Sequence, residues 1–371
     1  MSISVENLGA DLLSERQERV LRAVVAAYVG AAAPVGSTTI SRLLATPLSS
    51  ASIRNTMSEL TELGLIEKPH SSSGRIPTEM GLRLFVDHLL QPSQVATEQQ
   101  RRLRHSFGET DLDGAMRVAS QFLSDNTRQL GFVLMPSLER VRLRHISLIR
   151  LARERLLVVL VTQSGRTFHR DLNDCDGGSQ RELDRIASLL NDRIVGQTLA
   201  EVRQSMAKES FQLRNQAGSL LSRAVNLGQR AIQLASDADE VTDLVVATRL
   251  ALLEQPEFND TERLRDLFGA MEDNEKLVGL MEGLLESDGV KVALGEELAE
   301  PGLRNCALVS SPYGIYQGAG SSTNNTAAQG LVGVIGPSRM DYPRIIPLVS
   351  YCSQLVAEKF NENVSSEEIN P

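Results

Sequence analysis

Residues 49–77, SSASIRNTMSELTELGLIEKPHSSSGRIP, constrain the fold of this chain more than any other stretch. Ser49 or Ser50 supplies a helix N-cap, and Gly64 supplies a C-terminal stop. Between them Ile53, Met57, Leu60 and Leu63 recur at helical spacing and make one apolar stripe. The opposite face carries Ala51, Asn55, Ser58 and Glu62, flanked by Ser52, Arg54 and Glu59. A short apolar strand follows, then a Ser/Gly turn with Lys68, His70, Ser71, Ser72, Ser73 and Arg75 around Gly74, then an apolar return. Such a segment fits a polar-faced helix followed by a small β-hairpin.

The flanking residues extend that pattern. In LSERQERVLRAVVAAYVG, Ser14 and Gln17 form a capping box, Val20, Leu21, Val24, Val25 and Tyr28 sit at helical spacing, and Gly30 is the expected end. A turn at Pro34–Gly36 leads into a short helix, expected to be capped by Ser37 and to bury Ile40, Leu43 and Leu44. Thr78 caps a last helix, EMGLRLFVDHLL. Helix, helix, helix, hairpin is the order of a winged helix-turn-helix. In that arrangement Arg54 and Asn55 suit base edges, because guanidinium matches guanine O6/N7 and carboxamide matches adenine N6/N7 at two points each. Ser52 and Ser58 can serve base or phosphate. Lys68, His70, Ser72 and Arg75 belong to the wing, against phosphate or in the minor groove, and Ser37 and Thr39 are candidate backbone contacts.

The net charge of −9 looks unfavourable to nucleic acid until it is divided along the chain. From Ser14 to Leu90 the basic residues (Arg16, Arg19, Arg22, Arg42, Arg54, Lys68, Arg75, Arg83) slightly outnumber the acidic ones (Glu15, Glu18, Glu59, Glu62, Glu67, Glu79, Asp87). The acidity therefore lies elsewhere, mostly beyond residue 150. Phosphate contact needs a local basic face and not a basic protein.

The 371 residues suffice for two or three domains of about 100–200 residues each. QPSQVATEQQ, after Leu90, is a polar hinge. Strand-like runs at 131–137, 143–152 and 155–172 precede an amphipathic helix at 179–196 through Leu183, Ile186, Leu190 and Ile194. Residues 197–288 are mostly helical and acidic, with a strand signal at 244–248, and read as an insertion. Strand patterns resume at 290–295, 306–318 and 330–336, and a helix at 343–360 closes the chain before a polar tail. The expected fold class is α+β multidomain. Its divisions are 1–92 for DNA binding, 93–196 with 289–371 as one discontinuous domain, and 197–288 as an inserted helical unit whose apolar stripes suit a core or a dimer interface.

Other chemistry is sparse. Gly330, Gly333 and Gly336 match neither dinucleotide nor P-loop spacing, and the five histidines show no HxH or HExxH arrangement. Ser164 and His169 share a hairpin without a nucleophile elbow. No cofactor, metal or catalysis is expected. Ala23–Val35, the longest uncharged apolar stretch, falls short of the roughly 20 residues that cross a bilayer, the first ten residues lack a secretory pattern, and Cys175, Cys306 and Cys352 are far apart. A cytoplasmic protein without membrane association is expected.

With these residues in hand, the chain resembles the HrcA family, heat-inducible repressors of bacterial chaperone operons. The resemblance rests on LSERQERVLRAVVAAYV with PVGSTTISRLL, on SSASIRNTMSELTELGLIEKPHSSSGRIPTEMGLRLFVDHLL, and on GVIGPSRMDYPRIIPLV near the far end. It implies an N-terminal winged helix, a GAF-like domain, and a dimerising domain inserted into it. It also implies a homodimer on the CIRCE inverted repeat upstream of groE and dnaK operons, kept active by the GroE chaperonin until heat diverts that partner to unfolded clients. Ser52 and Thr56 stand where the family often has Thr and Asp. The alternative reading is a regulator that senses a small molecule through the GAF-like domain.

Overall fold

A computed structural model of the chain describes residues 13–44, 48–69, 74–136, 141–163, 165–173, 178–213, 226–231, 244–247, 252, 255–258, 261–272, 279, 281, 284, 289–314 and 329–365. The expected loop at 318–330 lies outside these residues except for 329–330; of the expected polar tail, residues 361–365 instead continue the last helix, Tyr342–Ser365, and the rest lies outside.

The N-terminal part is α1 (Glu15–Ala31), α2 (Ser37–Leu43), α3 (Ser50–Glu62), the hairpin strands β1 (Ile66–Glu67) and β2 (Ile76–Pro77), and α4 (Glu79–Leu84), which runs on as a π turn, Phe85–Leu89. Local chemistry accounts for its boundaries. Ser14 and Gln17 form the capping box of α1, Ser49 caps α3, and the Thr78 hydroxyl accepts from Gly81 N at 3.1 Å to start α4. Gly64, at φ 73°, provides the left-handed residue that ends α3. Two ends differ from expectation. Helix α1 stops at Ala32, itself left-handed at φ 50°, two residues beyond Gly30. The N-cap of α2 is Gly36, with Ser37 already helical, and Leu43 is 54% exposed where burial was expected. Helix α2 is only two turns long, so it buries a single residue, Ile40.

Ile40, Ile53, Leu60, Leu65, Val20, Leu21 and Val24 are essentially inaccessible to solvent and form the N-terminal core. Each such side chain contributes about 1.5–3 kcal/mol of burial. That core continues without a break into the helices α5 (Thr97–Gly108), α6 (Leu112–Thr127) and α10 (Tyr342–Ser365), and into the sheet beneath them. The hinge is correspondingly short, residues 90–96, and Ser93 N donates to Pro343 O at 2.8 Å.

The main sheet is antiparallel, ordered β7-β3-β10-β9-β8: Leu244–Val246, Leu130–Leu134, Gln329–Pro337, Cys306–Gly314 and Lys291–Leu294. Its alternation is strict. Val133, Val309, Tyr313, Val332 and Val334 face the α6 and α10 side. Phe132, Leu134, Leu308, Leu331 and Ile335 face Leu252, Phe258, Met281 and the helix α9 (Thr261–Glu272). Gly333 sits inside β10, where a Cβ would lie 2.4 Å from Val309 O, so this glycine run serves close strand packing.

A second sheet, β4-β5-β6 (Leu143–Ala152, Arg155–Thr162, Thr167–Asn173), is separate from the main sheet among the described residues. Helix α7 (Gln180–Ile194) lays Leu183, Ile186, Leu190 and Ile194 across it, joined by Leu199, Val202 and Met206 of α8 (Leu199–Leu213) and by Leu227 and Ala231. The cores therefore divide the chain elsewhere than at 197 and 288. Among the described residues, Leu143 to Met206 share one core with Leu227 and Ala231, whereas Leu252, Phe258, Leu267, Ala270 and Met281 pack on the main sheet. Alternation along a strand fixes its buried face; it does not fix the sheet the strand joins.

Candidate nucleic-acid interface

Helix α3 lies between α1 and the wing with its two faces chemically opposed. Ile53, Thr56, Met57 and Leu60 are buried, while Ala51, Arg54, Asn55, Ser58 and Glu62 are exposed and Ser52 is half-buried. Leu63, expected on the buried stripe, is partly exposed at the helix end. Thr56 is fully buried and donates to Ser52 O at 3.1 Å, so it belongs to the core side of α3.

The start of the helix is pre-arranged. Ser49 Oγ accepts from Ser52 N at 3.1 Å. Ser37 Oγ lies 3.4 Å from Ser50 Oγ and accepts from Arg54 Nε at 3.3 Å, so α2 and α3 meet at the residues expected to face a ligand. That bond uses one of the five guanidinium donors of Arg54. The Asn55 side chain makes no hydrogen bond to the described residues, and its amide offers a donor and an acceptor at the exposed surface. Ser58 donates back to Arg54 O at 3.1 Å, which leaves its oxygen as an acceptor. Thr39 is exposed on α2. Glu59 is drawn toward α1 by Gln17 Nε2 at 2.9 Å and Arg16 Nη2 at 3.3 Å, which removes one carboxylate from the exposed face.

The wing divides its cations. Lys68 is exposed. Arg75 is half-buried: its backbone pairs with Val35 through bonds of 2.8 and 2.9 Å, and Nε donates to Thr61 Oγ1 at 3.1 Å. Gly74 permits that approach, since a Cβ there would stand 2.5 Å from Val35 O. Arg75 thus ties the wing to α3 and to the strand-like approach to α2. His70 and Ser72 lie outside the described residues.

Two arginines that the sequence reading did not single out join this unit to the rest of the chain. Arg339, just after β10, reaches Val29 O at the end of α1, and Arg83 of α4 reaches Val292 O within β8 and Glu297 just after it. Among the described residues no group of three His, Cys, Asp or Glu side chains is placed to hold a metal ion, and no helix is long and apolar enough to cross a membrane.

Residues 113–346 match the family model described as HrcA protein C terminal domain. The heat-inducible transcription repressor HrcA of Geobacter sulfurreducens is 33% identical over 93% of this chain and 97% of its own length. Its namesake in Syntrophobacter fumaroxidans is 35% identical over 94% and 98%, and that in Nitrobacter winogradskyi 36% over 95% and 96%. A crystal structure of a hypothetical protein at 2.2 Å shares the fold, with a TM-score of 0.58 at 22% identity, covering 96% of this chain and all of that one. Full-length similarity to named repressors, with a polar-faced helix beside a hairpin, defines a transcription repressor and not an enzyme. The chain belongs to the HrcA family of heat-inducible transcription repressors.

Proposed function

We propose that the chain represses chaperone operons as a homodimer, each protomer placing α3 in the major groove of one half of an inverted repeat of the CIRCE type. Residues 1–92 act as the winged helix. Residues from 93 to about 136, with 244–371, act as the GAF-like domain, and 141–231 as the inserted dimerising domain. The observation that carries the reading is the exposed set Arg54, Asn55 and Ser58, with half-buried Ser52 beside it, on the side of α3 away from its buried stripe. Lys68 adds a cation from the wing for phosphate. What supports the dimer is the outer face of the β4-β5-β6 sheet, where Ile149 and Leu151 are 42% and 51% exposed beside half-buried Leu157, Val159 and Val161. A two-fold protein suits a two-fold site. The GroE chaperonin is the partner that maintains the active state. Footprinting on the chaperone promoters, with and without chaperonin, tests this: both half-sites should be protected, more strongly with chaperonin. Protection of one half-site only, or none, would sink it.

One observation favours a second reading, in which the GAF-like domain takes a small effector. An open cleft of about 570 Å³ between α5, α6 and β7 sets Arg102 and Arg117 beside Val118, Phe122 and Val245. Two arginines against the single carboxylate of Asp125, beside apolar walls, suit an aromatic or aliphatic carboxylate. A flat thermal-shift response of the full chain to such acids would remove this reading.

A further inference from the structure

The winged-helix unit is joined to the GAF-like domain by more than its hinge. Arg339 lies in the turn after β10, with its side chain only 12% exposed. It donates through Nε and Nη2 to both carboxylate oxygens of Glu257, through Nη2 to Gln255 Oε1 at 2.9 Å, and through Nη1 to Val29 O at 3.1 Å. Val29 belongs to the last turn of α1, whose carbonyls lack partners within the helix. A guanidinium placed there satisfies one of them and meets the negative end of the helix dipole. At the other end of α1, Arg16 and Gln17 hold Glu59 of α3. One rod thus carries the position of Arg339 to the exposed helix.

A second clamp works in the opposite sense, from the winged-helix side. Arg83 of α4 forks onto both carboxylate oxygens of Glu297, donates to Val292 O at 2.8 Å, and reaches Asp87 at 3.2 Å. On the same helix Glu79 Oε1 accepts from Glu296 N at 3.0 Å. Each fork is planar and two-pointed, so it fixes orientation as well as proximity.

We infer that Arg339 and Arg83 are positioning residues for operator binding: together they lock the winged helix to the GAF-like domain and so set the separation of the two α3 helices in the dimer. The inference rests on the reading that α3 meets DNA from a dimer, but the lock itself can be measured without DNA. A dimer with loose winged helices binds only from the fraction of molecules in which both are correctly placed. If that fraction falls to about a tenth, the apparent Kd rises about tenfold.

The test uses the full chain with Arg339→Gln/Glu257→Gln, which removes both charges together, and separately Arg83→Gln. Spin labels go on Glu62→Cys in α3 and Gln121→Cys in α6, both exposed positions, with Cys175→Ser and an excess of unlabelled chain. The buried thiols of Cys306 and Cys352 stay unlabelled. Wild type should give one narrow distance distribution, and each variant a broad one. Operator affinity should drop about tenfold, while the loss on lengthening the half-site spacing shrinks, because loose helices tolerate a wrong spacing. Should the double variant fail to fold, Arg83→Gln carries the test alone. A distribution that stays narrow in every folded variant overturns the lock. Broad distances with an unchanged spacing preference overturn the positioning role. If wild type itself shows no preference for the repeat, the DNA reading falls, and the distances still decide the lock.

Discussion

Two surfaces of this chain are built on opposite rules. The exposed face of α3 offers Arg54, Asn55 and Ser58 beside half-buried Ser52, and Ile53, Met57 and Leu60 point into the core. The outer face of the β4-β5-β6 sheet offers Ile149, Leu151, Leu157, Val159 and Val161, although the inner face already holds Ile146, Leu148, Val158 and Leu160 against α7. A helix with one polar face satisfies water when alone. A sheet apolar on both faces does not, and it needs a cover. The comparison teaches that one surface is made for a hydrogen-bonding partner that comes and goes, and the other for a standing apolar contact.

The most forceful way to break the comparison is to charge the sheet. Ile149→Asp with Leu151→Asp should convert dimer to monomer, since an unpaired carboxylate in an apolar interface costs about 3–5 kcal/mol. Sedimentation of the variant measures it directly, and operator binding should collapse with it. A variant that still sediments as a dimer would place the interface on another surface.

Next in size are the residues proposed to face bases. Arg54→Ala or Asn55→Ala should cost about 1–3 kcal/mol of binding to the specific repeat and leave self-association untouched. Competition gel shifts against random DNA read the difference. Equal loss on both DNAs would reduce these residues to phosphate contacts. Ser49→Ala belongs in the same experiment at about 1 kcal/mol of stability, because it removes the cap that pre-arranges Ser52 N.

These two surfaces were not equally legible. The α3 unit announces itself locally: Ser49, Gly64 and Thr78 punctuate it, and Ile53, Met57 and Leu60 give its buried stripe within one window. The strands β4–β6 were also legible as strands, but their separation from the main sheet was not, because pairing partners are chosen over long sequence distances. Helix α5 escaped altogether. It is charged nearly all round and buries only Leu103 and Phe107, too narrow a stripe to register as a period. The clamps were beyond reach for the same reason, with Arg339 standing 310 residues from Val29 and Arg83 standing 214 from Glu297. Arginine in GPSRMDYP reads as surface until the fold brings the end of α1 beside it.

The smallest effects separate two cations that sequence reasoning treats alike. Lys68 and Arg75 flank the same turn, yet Lys68 is exposed, whereas Arg75 donates to Thr61 and pairs its backbone with Val35. Lys68→Gln should therefore leave the melting temperature unchanged, weaken binding to all DNA sequences, and lower the salt slope by about one. Arg75→Gln should lower the melting temperature first, by the few degrees that about 1 kcal/mol produces in a unit of this size, because a wing no longer tied to α3 frays. Its effect on DNA should follow from that loosening and recover on cooling. If instead Arg75→Gln melts as wild type and reduces the salt slope as Lys68→Gln does, Arg75 meets phosphate from the base of the wing, and both cations belong to the polar surface.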